Sequence, residues 1–187
     1  MTFVRSLALT LLALVALPAL AQQKLLPAQS EIAFVSRQMG VPVEGRFRKF
    51  DAQVRFDPAQ PQGSSIAFTV DTGSASLGVP ETDAELPKAV WFNVPKFPQA
   101  TFQSTSVKRL AKDRFEVAGK LTIKGNSHDV LVPVTLAQSG ATTTASGSFT
   151  IKRLVFKIGE AEWSDTSMVA DDVQVKFRLA LTGVGKL

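Results

Sequence analysis

Apolar and polar positions alternate with a period of two along most of the chain beyond its apolar N-terminal stretch. In RFEVAGKLTIK, Phe115, Val117, Gly119, Leu121 and Ile123 share one face, and Glu116, Lys120, Thr122 and Lys124 share the other. In DDVQVKFRLALT, Val173, Val175, Phe177, Leu179 and Leu181 alternate with Gln174, Lys176, Arg178, Ala180 and Thr182. Weaker alternation marks residues 31–36, 43–47, 52–56, 65–71, 100–107, 130–137 and 142–152. Turn residues separate these runs at Asp57-Pro58, Gln62-Gly63, Gly125-Asn126 and Ser139-Gly140. About nine half-buried segments and no internal repeat predict an all-β sandwich or barrel.

One stretch breaks the pattern. Thr82 with Glu85 three residues later has the form of a capping box, and Leu86, Ala89 and Val90 follow, so residues 82–90 are predicted to form a short helical plug or lid. Pro87 limits it to a turn or two, because proline removes a backbone donor and crowds the preceding turn. The proline-rich aromatic run WFNVPKFPQATF, residues 91–102, is expected to be a packed loop entering a strand. Gly125-Asn126-Ser127 is read as the turn of a β-hairpin, with His128 at its exit and Val130, Val132, Val134 and Leu136 on the returning strand.

The N-terminal stretch changes the setting rather than the fold. Arg5 precedes the apolar run SLALTLLALVALPAL, and Ala19-Leu20-Ala21 has the small-residue form of a cleavage site. Residues 1–21 are therefore expected to be a signal peptide, leaving residues 22–187 as one exported domain. The expected location is the periplasm, with secretion as the alternative. The chain has no cysteine, which excludes disulfides, thiol chemistry and cysteine-ligated metal, so stability must come from the core. The net charge of +5 falls by one when Arg5 is removed. Its lysines and arginines are scattered along strands, so no nucleic-acid partner is expected, while transient contact with an anionic membrane surface is compatible with the charge.

Candidate chemistry is sparse. His128 is the only histidine, and it would have to act as a base from a hairpin tip; the expectation is a turn residue whose removal changes nothing. One histidine without cysteine makes a poor zinc site. The carboxylate pairs Asp171/Asp172, Glu160/Glu162 and Asp83/Glu85 each have a structural explanation as strand opening, loop or helix cap. No phosphate loop, nucleophile elbow or cofactor motif is present. What is abundant is phenylalanine, thirteen with two tryptophans and no tyrosine, and the lack of tyrosine disfavours an outer-membrane barrel with aromatic girdles.

Four segments, SEIAFVSRQMGVPVEGRFRKFDAQVRFDP, TDAELPKAVWFNVPKFPQATFQS, FEVAGKLTIKGNSHDVLVPV and FTIKRLVFKIGEAEWSDTSMVADDVQVKFRLALT, together resemble the YceI family of lipocalin-like, polyisoprenoid-binding periplasmic proteins. The resemblance implies an eight-stranded antiparallel β-barrel enclosing an elongated apolar space for an isoprenoid or other long-chain lipid. Many members carry histidine directly before the Met-Gly pair; Gln38 stands there in this chain, so the headgroup contact implied for that histidine is open.

The ligand-binding candidates follow from this reading. Phe34, Phe47, Phe56, Phe68, Phe102, Phe149, Phe156 and Phe177 are expected on the inward wall, and Trp91, Phe92 and Trp163 at the mouth. The expected function is a carrier or sequestering protein without cofactor or catalytic residue. The alternatives are a quinone-linked redox participant or enzyme using the same cavity, and a surface interaction module whose barrel is closed and empty of ligand.

Overall fold

The computed structural model describes residues 23–187; the expected signal peptide, residues 1–21, lies outside the described residues. The strands are β1 (Lys24–Leu25), β2 (Glu31–Gln38), β3 (Val41–Phe47), β4 (Phe50–Arg55), β5 (Ser65–Asp71), β6 (Ala75–Ser76), β7 (Gln99–Arg109), β8 (Arg114–Ile123), β9 (Asn126–Ser139), β10 (Thr142–Lys152) and β11 (Asp172–Thr182). Nine of them are long, and they fall where the alternation places them; β1 and β6 are two-residue pieces. The count therefore exceeds the eight expected.

All pairings are antiparallel, in the order β4-β5-β7-β8-β9-β10-β11-β2-β3-β6, with β1 also on β11. β1 and β2 run along the same partner strand, interrupted by a 3-10 turn at Pro27–Gln29. Ser30 covers the interruption: its hydroxyl donates to Leu26 O and accepts from the Ala180 N–H.

The sheet curls so that every long strand contributes to one interior, leaving a seam between β3 and β4, which are joined by the two-residue corner Arg48-Lys49. Two devices close that seam. Near the corner, Ser74 accepts the Arg48 and Lys49 amides on its carbonyl and hydroxyl oxygens. At the far end the Gln23 side chain exchanges two hydrogen bonds with the Phe56 backbone, taking the place of a ladder.

A β-bulge in β7 between Ser104 and Ser106 shifts the side-chain parity, so that both Phe102 before it and Val107 after it face inward. β9 and β10 pair only between residues 135–139 and 142–146. The ladder stops where Pro133, which has no N–H to give, follows in β9. Into the opening between the diverging strands fits the turn after β10, where Phe156 is 1% exposed.

The β8–β9 hairpin turns on Lys124 (φ 50°) and Gly125 (φ 76°), not on Gly125-Asn126-Ser127. His128 accordingly sits inside β9 opposite Leu121. It is not idle: its Nε2 lies 3.1 Å from Val155 O, and its ring meets Phe156 edge-on at 4.9 Å. Lys124, expected on the outer polar face, turns back over the barrel end. Its ammonium is buried, donates to Lys157 O at 2.6 Å and pairs with Glu160 at 3.0 Å.

The expected helix is shorter and starts earlier, at Pro80–Asp83. Pro80 fills the first turn, where a missing N–H costs nothing. Thr82 lies within the helix and caps no N–H, and Glu85 pairs with Lys88 instead of closing a capping box. Asp83 is the anchor: it accepts from Ser76 Oγ and from the Leu77 N–H, both at 2.6 Å, which ties the helix to β6.

Candidate functional site: an apolar cavity

The inward faces of the strands surround a cavity of about 410 Å³, a volume within the range of small-molecule sites. Its wall is built from the alternating apolar positions. β11 supplies Val173, Val175, Phe177, Leu179 and Leu181, and every other long strand adds its own inward set.

The cavity stays open because several rings lie flat on the wall. Gly45, Gly119 and Gly147 face inward, and Phe34, Phe102 and Phe177 respectively cover them. A Cβ on Gly45 would stand 2.7 Å from Phe34 Cε2 and 2.8 Å from Leu77 Cδ2. A Cβ on Gly147 would press on Phe177 and on the Pro133 carbonyl. Each glycine thus makes a shallow recess in the sheet for a ring that would otherwise project toward the axis.

Of the residues expected on the wall, Phe34, Phe47, Phe56, Phe68, Phe102, Phe149 and Phe177 line the cavity. Phe68 and Phe102 are cross-strand neighbours. Phe56 and Phe115 meet edge-on at 5.1 Å near the end formed by the 56–64 and 110–113 connections. Phe156 does not line the cavity; it follows the end of β10, where strand alternation no longer sets direction, and packs against His128 in the β9/β10 opening. Phe92, expected at the mouth, lines the cavity from a buried position, with its ring 5.9 Å from that of Phe47.

The opposite end is covered by residues 77–98 and by the β10–β11 connection, residues 153–171. Here Trp91 and Trp163 meet with ring centroids 5.5 Å apart and planes tilted by 42°, Trp91 half-buried and Trp163 exposed. The tip of β2–β3 reaches the same region: the Met39 amide donates to Met168 O, and Gln38 bridges to Val169. Met39 and Val41 are 71% and 63% exposed beside it. Four polar side chains, Ser36, Gln38, Thr82 and Glu85, join the apolar lining at this end.

Sequence reasoning missed Arg153, which organises this cover. It is 2% exposed, and all five of its N–H groups are directed at backbone carbonyls. Nε donates to Ala170 O, one terminal nitrogen to Ile158 O and Gly159 O, and the other to Trp163 O and Val169 O, at 2.6–3.1 Å. Burial pulls its pKa below the ordinary guanidinium value, with the charge of Asp171 opposing. One side chain therefore fixes a loop of nearly twenty residues. No local spacing announces this, since the acceptors lie in irregular backbone.

Among the described residues, no group of three or more His, Asp or Glu side chains is placed to hold a metal ion. No helix among them is long and apolar enough to cross a membrane.

Comparison with known proteins places this geometry. The family model described as the YceI-like domain matches residues 24–181. A Salmonella arizonae "Protein YceI" is 41% identical over 92 residues, which are 49% of this chain and 46% of that protein. An Azotobacter vinelandii "UPF0312 protein" is 36% identical over 88 residues, 47% of this chain and 46% of that one. The chain thus matches about half the length of these curated relatives. Among solved structures, Burkholderia cenocepacia BcnA superposes with a TM-score of 0.81 and 46% identity, covering 83% of this chain and 98% of that chain. A polyisoprenoid-binding domain from Saccharophagus degradans, implicated in plant cell wall breakdown, has the same fold, with a TM-score of 0.71 at 14% identity over 86% of this chain and 98% of that chain.

Proposed function

Because the chain belongs to the YceI-like domain family, we propose that it binds a long apolar molecule, a polyisoprenoid or related lipid, and shields it from water inside the barrel. The observation that carries this reading is the 410 Å³ cavity with its almost entirely apolar wall. Burying a methylene contributes about 0.8 kcal/mol, so ten buried carbons contribute about 8 kcal/mol before ordering costs. That is the scale of micromolar binding without a polar anchor. The Saccharophagus domain, described as binding polyisoprenoid, adds support through the shared fold.

Carrier or sequestering action in the periplasm fits the expected signal peptide, with brief contact at a membrane surface for loading and release. A binder is favoured over an enzyme because the only charged side chains on the wall among the described residues, Glu85 and Arg153, are both engaged, one in an ion pair with Lys88 and the other by five carbonyls.

Native mass spectrometry of protein isolated from its own host tests the proposal. A bound apolar species that exchanges for added prenyl lipid is the expected result. Protein that carries nothing and takes up nothing after delipidation would mean that the barrel serves as a plain interaction module, and consumption of the lipid would mean an enzyme.

A further inference from the structure

We infer that the cavity selects lipids with an uncharged head, an alcohol or a quinone, over the phosphate or diphosphate of the same chain; this rests on the carrier reading above. The head belongs at the covered end. Ser36, Gln38, Thr82 and Glu85 line the cavity there, whereas Phe56 and Phe115 close the other end with apolar surface.

An anion needs donors that are free to reach it, and arginine is the side chain best suited to that task. Among the described residues Arg153 is the only cationic one on the wall, and its five N–H groups are already given to Ala170, Ile158, Gly159, Trp163 and Val169. A guanidinium has five donors and no more. Glu85 adds a negative charge at the same place, with Lys88 held against its carboxylate.

The surroundings act in the same direction. Residues 77–98 contain Glu81, Asp83 and Glu85 against two lysines, and residues 153–171 contain Glu160, Glu162, Asp165 and Asp171 against Arg153 and Lys157. The chain as a whole is basic, at +5, but both segments covering the mouth carry an excess of acid. The cations nearby are themselves engaged, Lys124 with Glu160 and Lys157 O and Arg48 with Ser76, so a phosphate entering here would give up water without a free cation on the wall to receive it. Ser36 and Gln38, at the end of β2, and Thr82 offer hydroxyl and amide groups that both donate and accept, which suits a hydroxyl or a carbonyl.

The test is displacement of a fluorescent apolar probe from delipidated protein near neutral pH by geranylgeraniol, a short-tailed ubiquinone and geranylgeranyl diphosphate. The alcohol and the quinone should displace it at concentrations lower than the diphosphate by about ten-fold or more. Glu85→Lys should narrow that gap by about three-fold, read as the ratio of diphosphate to alcohol displacement in the variant against the same ratio in the wild type, so that any general effect on binding cancels. Diphosphate binding as tight as the alcohol would overturn the head-group inference and leave the carrier reading standing. Failure of the probe and all three lipids to bind would overturn both.

Discussion

The recessed phenylalanines make a prediction that separates two kinds of glycine. At Gly45 an added methyl meets the Phe34 ring and the end of Leu77, which are both side-chain atoms rather than backbone. The Phe34 ring must move by about 1 Å to restore contact distance, and the cavity gives it somewhere to go. Overpacking a dense core costs about 1–3 kcal/mol, and here the low end applies. Replacing glycine within a strand returns about 0.5–1 kcal/mol, so Gly45→Ala should be stable to within about 1 kcal/mol. The displaced ring should, however, narrow the cavity and lower uptake of a fluorescent prenyl lipid. At Gly147 the same methyl meets the Pro133 carbonyl, which is backbone. Neighbouring strands must part, and Gly147→Ala should cost about 2–3 kcal/mol, or roughly 5–10 °C in melting temperature for a chain of this size. Thermal unfolding of delipidated protein and lipid uptake read the two effects separately. The double variant Gly45→Ala/Phe34→Leu should recover uptake, since the shorter side chain vacates the lumen. Equal losses of stability at Gly45 and Gly147, or unchanged uptake in Gly45→Ala, would refute the idea that recessed rings keep the cavity open.

Arg153→Met should destabilise the protein by about 3 kcal/mol or more, because five buried carbonyls lose their donors, and Arg153→Lys should rescue little, since an ammonium cannot reach all five; chemical denaturation measures both. His128→Ala should cost about 1 kcal/mol through the lost contact with Phe156 while lipid loading stays the same, and a melting temperature equal to wild type would show that the β9/β10 opening is sealed without it. Hydrogen bonds from Ser76 and Leu77 hold the Asp83 carboxyl below the ordinary value of 3.8, so its stabilising effect is complete above that value and is lost as pH falls through the lower folded value. Asp83→Asn should therefore flatten acid unfolding in that window, and an unchanged acid limb would count against the tie between helix and β6.

The strands were legible because alternation is a local property that survives folding when one face is buried. Residues 65–71 and 142–152 coincide with β5 and β10. β9 begins earlier than the alternation suggests because Asn126, Ser127, His128 and Asp129 are all polar, and their strand geometry comes from pairing with β8. The phenylalanine wall was readable by the same parity, which explains why Phe156, beyond the last residue of β10, escaped it. Thr82 misled because its spacing from Glu85 imitates a cap, whereas Pro80 fits the first turn better. Lys124 and Arg153 look like surface cations in one dimension. Their partners are carbonyls of distant irregular backbone, and no sequence spacing encodes those contacts. The polar end of the cavity was hidden for the same reason: Ser36 and Gln38 meet Thr82 and Glu85 only after the cover folds back over the barrel.

The pairing order also has a kinetic consequence. β7 to β11 form a continuous meander in which each strand folds against its predecessor, and β7 to β10 are joined by connections of only two to four residues, so this part of the sheet can assemble locally. β2 pairs locally with β3, but its other edge, and β1, must reach β11 at the opposite end of the sequence, and the bond from the Ala180 amide to Ser30 spans 150 residues. Such distant pairing carries the largest loop-closure cost and is the natural slow step. Until it occurs, the apolar inner face of the meander is open along its whole length rather than through one guarded end. A lipid present during refolding can be wrapped by the closing sheet, while one added to the finished barrel must pass the tryptophan-lined mouth, so the two routes to one complex should differ in rate.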